Sequence, residues 1–134
     1  MMTYQFSQSS KDKLRGVHPD LVKVVSLALS ISEVDFKVIE GLRTKERQAY
    51  LFKIHATKTM QSRHLTGHAI DIVPLPVDWN NLAAFGKVAK AMFKASEQLK
   101  IPIRWGGDWN RNGRSDDEKF YDGPHFELLK AIYP

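Results

Sequence analysis

The sequence predicts an α+β fold: one small domain, 1–134, with a mostly antiparallel sheet flanked by helices. Three observations lead there. Apolar residues repeat at helical spacing in two long stretches, Leu21–Leu29 and Leu82–Leu99. Four short segments, Phe36–Glu40, Ala69–Val73, Ile101–Trp105 and Pro124–Leu128, have strand character instead. Helices and strands also follow one another without the regular βαβ repeat of a parallel sheet. A chain of 134 residues with 43% apolar content fits one domain with a real core. No internal repeat, low-complexity tract or Gly/Ser linker divides it.

Taken in order, Gln8–Arg15 forms a short helix that ends at Gly16. Pro19 suits the first turn of the next helix, where its missing N–H is harmless, and Asp20 complements the helix dipole there. Leu21, Val24, Val25, Ala28 and Leu29 give that helix its apolar face. Phe36–Glu40 alternates as a half-buried strand closed by Gly41. Thr44 caps a third helix running to about Ala56, with Ala49, Leu51, Phe52 and His55 available for packing. Ala69–Val73 is a strand that stops at Pro74-Leu75-Pro76. Leu82, Phe85, Val88, Ala89, Met92, Phe93 and Leu99 mark the clearest amphipathic helix. Ile101–Trp105 and Pro124–Leu128 supply the last strands. Helices are expected on one side of the sheet and a cleft on the other.

Composition narrows the chemistry. The chain has no cysteine, which excludes disulfides, thiolate metal sites and a cysteine nucleophile. Residues 105–134 hold six acidic and four basic residues, a net −2 against +5 for the whole chain, so the remainder carries about +7. A basic body favours anionic partners, but its lysines and arginines are scattered and no nucleic-acid motif accompanies them, so no nucleic-acid partner is expected. Met1 to Lys11 is polar and lacks the apolar core of a secretory signal, and no apolar run approaches bilayer length. The expectation is synthesis in the cytoplasm, no stable membrane insertion, and a monomer.

Two segments carry ligand-type residues: Ser62-Arg63-His64-Leu65-Thr66-Gly67-His68-Ala69-Ile70-Asp71 and Asp122-Gly123-Pro124-His125-Phe126-Glu127. His64, Asp71 and His125 supply two imidazoles and a carboxylate. That set suits a catalytic zinc, which takes three protein ligands and keeps its fourth position for water. Alternation along Ala69–Val73 turns Asp71 to the cleft beside small Ala69, and His68 to the opposite face. A carboxylate between Ile70 and Ile72 needs a partner or a metal. Asp122, three residues before His125, is placed to act as a base. His18, His55 and His68 are expected to be structural or exposed. Trp105, followed by Gly106-Gly107, either walls a groove for an extended peptide or packs in the interior. Asp108, Asn110 and Asn112 alternate oxygen donors before Gly113, like the first half of an EF-hand loop, so weak calcium binding is a second possibility. Asn stands twice where such loops favour Asp, and Glu118 falls one residue early for the closing ligand. The competing reading of Asp108–Ser115 is a plain Asn/Gly-rich loop.

Ser-x-His-x-x-Gly-x-Ala-x-Asp followed by Asp-x-x-His-Phe-Glu resembles the zinc peptidases of bacterial cell-wall peptides. This family includes the VanX and VanY types and the phage L-alanyl-D-glutamate endopeptidases. The resemblance extends from Gly16-Val17-His18-Pro19-Asp20-Leu21 through Glu40-Gly41-Leu42-Arg43-Thr44 to Trp105-Gly106-Gly107-Asp108-Trp109. Size and the last segment are most similar to the phage endolysin branch. The resemblance implies a zinc-dependent endopeptidase cutting the L-Ala–D-Glu bond of the peptidoglycan stem peptide, and hence host-cell lysis after release through a holin. It implies that Arg43 steadies the oxyanion or a substrate carboxylate, and that Ser62 contacts substrate near the metal. Cleavage of D-Ala-D-Ala is the alternative within the enzyme class. A non-catalytic wall-binding module on the same fold is the alternative outside it.

Overall fold

The structure is a computed structural model that describes residues 4–57, 60–113 and 121–134. Its elements in chain order are α1 (Gln8–Lys13), α2 (Pro19–Ile31), β1 (Phe36–Glu40), α3 (Lys45–Lys53), a 3-10 turn (Arg63–Thr66), β2 (Ala69–Pro74), α4 (Leu82–Leu99), β3 (Ile103–Trp105) and β4 (His125–Leu128). The four strands form one antiparallel sheet in the order β1-β2-β4-β3. The expected α+β class and mostly antiparallel sheet are therefore present.

Local chemistry explains the boundaries. Ser7 caps α1, its Oγ accepting the Ser10 N–H. Ser10 is itself buried, and its Oγ accepts the Val38 N–H at 3.1 Å, which ties α1 to β1. His18 caps α2 by accepting the Asp20 N–H on Nδ1 at 3.0 Å, and Pro19 opens the helix as expected. α2 and α4 pack together, and Leu21, Val24 and Ala28 of the first and Val88, Met92 and Ala95 of the second are buried in the same core. Phe36, Val38, Ile70, Ile72, Phe126 and Leu128 complete this core from the sheet. Burying such apolar side chains stabilises the fold by roughly 1.5–3 kcal/mol each.

Side chains alternate across a strand, so the residues between these core positions point to the opposite face. On β2 that residue is Asp71; on β4 they are His125 and Glu127. The sheet register sets Asp71 directly opposite His125. A bulge between Val38 and Glu40 brings Glu40 opposite Asp71, which turns the end of β1 into the same region.

Helix α3 departs from its expected packing. It ends at Lys53, Ala49 and Phe52 lie on the exposed side, and Gln48 is its buried residue. The reason is a polar partner rather than an apolar face, because Gln48 Oε1 accepts from Arg43 Nη1 at 2.8 Å. His55 lies beyond the helix with a left-handed backbone (φ 61°) and is exposed.

Candidate metal centre

Each member of the ligand trio is delivered by a different local device. Ser62 Oγ accepts the His64 N–H at 3.2 Å and caps the 3-10 turn, so Ser62 positions a ligand besides lining the cleft. The turn ends at Gly67, which is left-handed (φ 75°), and a Cβ there would lie 2.5 Å from the Gly16 carbonyl oxygen. Glycine alone allows that approach, and it returns the chain into β2.

His64 is 2% exposed. Its Nδ1 lies 2.9 Å from the Gly41 carbonyl oxygen, which only accepts, so Nδ1 carries a hydrogen and Nε2 is the nitrogen turned towards Asp71. Nε2 is 3.3 Å from Asp71 Oδ1. His125 is oriented the opposite way. Its Nε2 lies 2.9 Å from Glu127 Oε1 and donates to that carboxylate, which leaves Nδ1 facing Asp71 Oδ1 at 3.3 Å. One donor atom from each of His64, Asp71 and His125 lies within 4.8 Å of the others. Ligands about 2.1 Å from a tetrahedral zinc ion stand roughly 3.4 Å apart, so the Asp71–His64 and Asp71–His125 spacings fit such an ion. The nitrogen and oxygen donors fit it too.

Behind the ligands stands a layer of supporting charges. Glu127, 4% exposed, is also reached by Arg104 Nη2 at 3.2 Å and Arg63 Nε at 3.8 Å. Arg63 is fixed by Nη2 donating to the carbonyls of Leu128 (3.0 Å) and Tyr133 (2.6 Å). A carboxylate on the far nitrogen of a metal-binding histidine sets its tautomer and orientation. Sequence reasoning gave Glu127 no role, although its place two residues from His125 on the same strand face was a usable signal.

Electrostatics follow from this crowding. Burial raises the Asp71 carboxyl, but hydrogen bonds from His125 and His64 outweigh it and hold the group well below its ordinary range. Burial lowers His125, yet hydrogen bonds to Asp71 and Glu127 dominate and raise it to about 9. Asp122 is raised, first by burial and then by the nearby Asp71 charge. A carboxyl displaced upward beside a cleft has the tuning of a general base or acid.

Asp122 is anchored through its backbone, its N–H donating to Gly106 O and its carbonyl accepting from His125 N–H, at 2.8 and 3.1 Å. A Cβ on Gly106 would collide with the Asp122 carbonyl oxygen, so glycine is required there to seat the acid. Asp122, the three ligands, Ser62, Arg43 and Trp109 all line one cleft of about 460 Å³.

The remaining candidates are placed as follows. Arg43 is 8% exposed at its side chain; it grips Glu40 through Nε and Nη2, at 2.7 and 2.8 Å, and reaches Gln48 through Nη1. Its Nη2 also lies 3.8 Å from Asp71 Oδ2. Trp105 lies beneath the cleft rather than in its wall. It is 8% exposed, stacks on Phe126 at 6.2 Å, and donates from Nε1 to the Gly123 carbonyl. Trp109 lines the cleft in its stead, 5.3 Å from the His125 ring. Asp108 is buried, with its two carboxylate oxygens accepting the Asn112 and Gly113 N–H groups at 3.1 and 2.7 Å. Asn110 Oδ1 also accepts from Asn112 N–H, at 3.3 Å. Ser115 and Glu118, the far end of the suggested calcium loop, lie outside the described residues. His68 bonds Thr66, and its ring is lowered by burial, Arg63 and His18.

The profile of the family described as phage L-alanyl-D-glutamate peptidase matches residues 2–129. An L-alanyl-D-glutamate peptidase of Escherichia phage T5 is 38% identical, over 96% of this chain and 100% of its own. A second, from Listeria phage A118, is 34% identical over 71% of this chain, which corresponds to 31% of that longer protein. Among solved structures, the L-Ala D-Glu endopeptidase ChiX of Serratia marcescens superposes with a TM-score of 0.85 at 41% identity, covering 98% of this chain and 95% of its own.

Proposed function

This chain belongs to the phage L-alanyl-D-glutamate peptidase family, and from that premise we propose that it hydrolyses the L-Ala–D-Glu amide of the peptidoglycan stem peptide using zinc held by His64, Asp71 and His125. The observation that carries this reading is the convergence of those three donors and the upshifted Asp122 in one cleft. A zinc ion in such a setting acts as a Lewis acid on the scissile carbonyl and makes water acidic near neutral pH.

The chain's own residues do the rest. Asp122 takes the proton of the attacking water and passes it to the leaving nitrogen. Glu127 keeps His125 in the tautomer that exposes Nδ1, and the Gly41 carbonyl does the converse for His64. Arg43, locked by Glu40 and Gln48, has N–H groups beyond those three hydrogen bonds and sets its positive charge beside Asp71 and the reacting centre. Ser62 holds the turn that carries His64 and borders the bound peptide. The setting is lysis of the host wall after release from the cytoplasm.

The test is digestion of purified cell wall with zinc-loaded protein, followed by labelling of new amino termini. New D-Glu amino groups are expected. Release of free D-Ala, or no release of any peptide end, overturns the assignment.

A further inference from the structure

Among the described residues three arginines line the cleft, and two are already held in place by other groups. Arg43 is clamped by Glu40 and Gln48. Arg63 is half-buried and donates to the carbonyls of Leu128 and Tyr133. Arg104 differs. Its side chain is 38% exposed, its single hydrogen bond to a described side chain is Nη2 to Glu127, and its guanidinium lies over the Trp109 ring at 5.0 Å. Trp109 in turn packs against His125. The guanidinium thus lies over an indole and is bonded at one corner to a carboxylate, in a residue that lines the cleft. Glu127 faces two arginines as well as His125, so this wall of the cleft keeps unneutralised positive charge.

Within the reading given above, the substrate offers a matching group. The D-Glu residue continues the stem peptide through its γ-carboxyl, so its α-carboxylate is free. That carboxylate is attached to the carbon bearing the scissile nitrogen, and it must lie close to the metal ligands whenever the amide does. We propose that Arg104 is the specificity-determining residue that receives this α-carboxylate, with Trp109 holding the guanidinium in the plane that a two-point contact needs. A planar fork beside an aromatic face is the arrangement that suits bidentate carboxylate recognition. The contact also orients the leaving nitrogen towards Asp122.

The experiment compares two soluble stem peptides, one with D-Glu and one with D-isoglutamine, whose α-carboxylate is an uncharged amide. With wild-type protein, kcat/KM is expected to be higher for the D-Glu peptide by about 10- to 100-fold, the range of a charged hydrogen-bonded contact, mostly through KM. In Arg104→Gln, which keeps a donor for Glu127, that preference should collapse to near unity by loss of the D-Glu peptide alone. Arg104→Lys should retain part of it. Zinc content is measured on every variant, so loss of the metal is seen separately. Equal cleavage of the two peptides by wild-type protein overturns the proposal without any variant. An equal fall on both peptides in Arg104→Gln also overturns it, since that is the mark of a structural role. Failure of wild-type protein to cut either peptide refutes the underlying reaction, a distinct outcome.

Discussion

Asp71 and His125 face each other as a register pair across the central strands, with Asp71 Oδ1 3.3 Å from His125 Nδ1. The candidate metal centre is therefore a cross-strand contact as much as a set of donor atoms. Its two halves, more than fifty residues apart in sequence, are aligned by the hydrogen-bond ladder between β2 and β4.

Removing a ligand and removing its support should be separable. His64→Ala is expected to lose stoichiometric zinc, measured by metal analysis of the purified protein. Glu127→Gln should keep the metal but bind it about 10- to 100-fold more weakly, as changes behind a metal-bound histidine typically do. Full zinc occupancy in His64→Ala under competition by a chelator removes that residue from the site.

Asp122→Asn should keep fold and zinc while losing about 10²–10⁴ in turnover, because an amide cannot take up the water proton. Gly106→Ala reaches the same residue indirectly: its methyl group meets the Asp122 carbonyl and should displace the acid. Lower activity with zinc retained is expected there too, read by single-turnover kinetics. A zinc-loaded Asp122→Asn enzyme with near-normal rates rules the base out.

The pH dependence of the metal-free protein has a definite sign. His125 is raised from 6.5 to about 9 by Asp71 and Glu127. Its protonated form therefore adds stability that is complete below about pH 6.5 and lost as pH rises through 9. Asp71 is depressed from 3.8, so its contribution is present above that value and lost as pH falls further. Thermal melts of metal-free protein should show a fall in Tm between pH 6.5 and 9. At pH 7, zinc must displace the His125 proton, and calorimetry in buffers of different ionisation enthalpy should register close to one proton released. A Tm that stays flat from pH 6.5 to 9 contradicts the His125 assignment.

Arg43→Lys should lower turnover by tenfold or more, by analogy with loss of one oxyanion donor at about 10²–10³. Lysine cannot bridge Glu40 and Gln48 together. Unchanged kinetics in both Arg43→Lys and Arg43→Ala return the residue to a purely structural role.

Calcium at the loop beginning with Asp108 should be weak, in the range of about 10⁻⁴–10⁻³ M. The Asp108 carboxylate already accepts two backbone N–H groups, which an incoming cation has to displace. Calorimetry on zinc-loaded protein, repeated with Asp108→Ala, is the check. The absence of binding heat and of any rate change at millimolar calcium makes this stretch a connector only.

Much of this was legible in the sequence because the informative patterns are local. Val24, Ala28 and Leu29 had to be one helix face, and Asp71 had to leave the apolar face of its strand. The less legible parts depend on partners distant in sequence or on competing uses of one residue type. Gln48 is buried amid more apolar neighbours because Arg43 needs an acceptor. Trp105 and Trp109 look alike in sequence, but the sheet takes the first into the core and leaves the second beside His125. Arg104 stands out only once the other two arginines are seen to be committed.

The strand that completes the sheet is the last to be made. β4 lies between β2 and β3 in space, yet follows both along the chain. During synthesis, which runs from the N-terminal side, the sheet has a gap in its middle until His125–Leu128 leaves the ribosome. Until then His64 and Asp71 stand without His125, the third member of the group that could hold a metal. The third side chain of the site thus arrives with the strand that joins the two halves of the sheet.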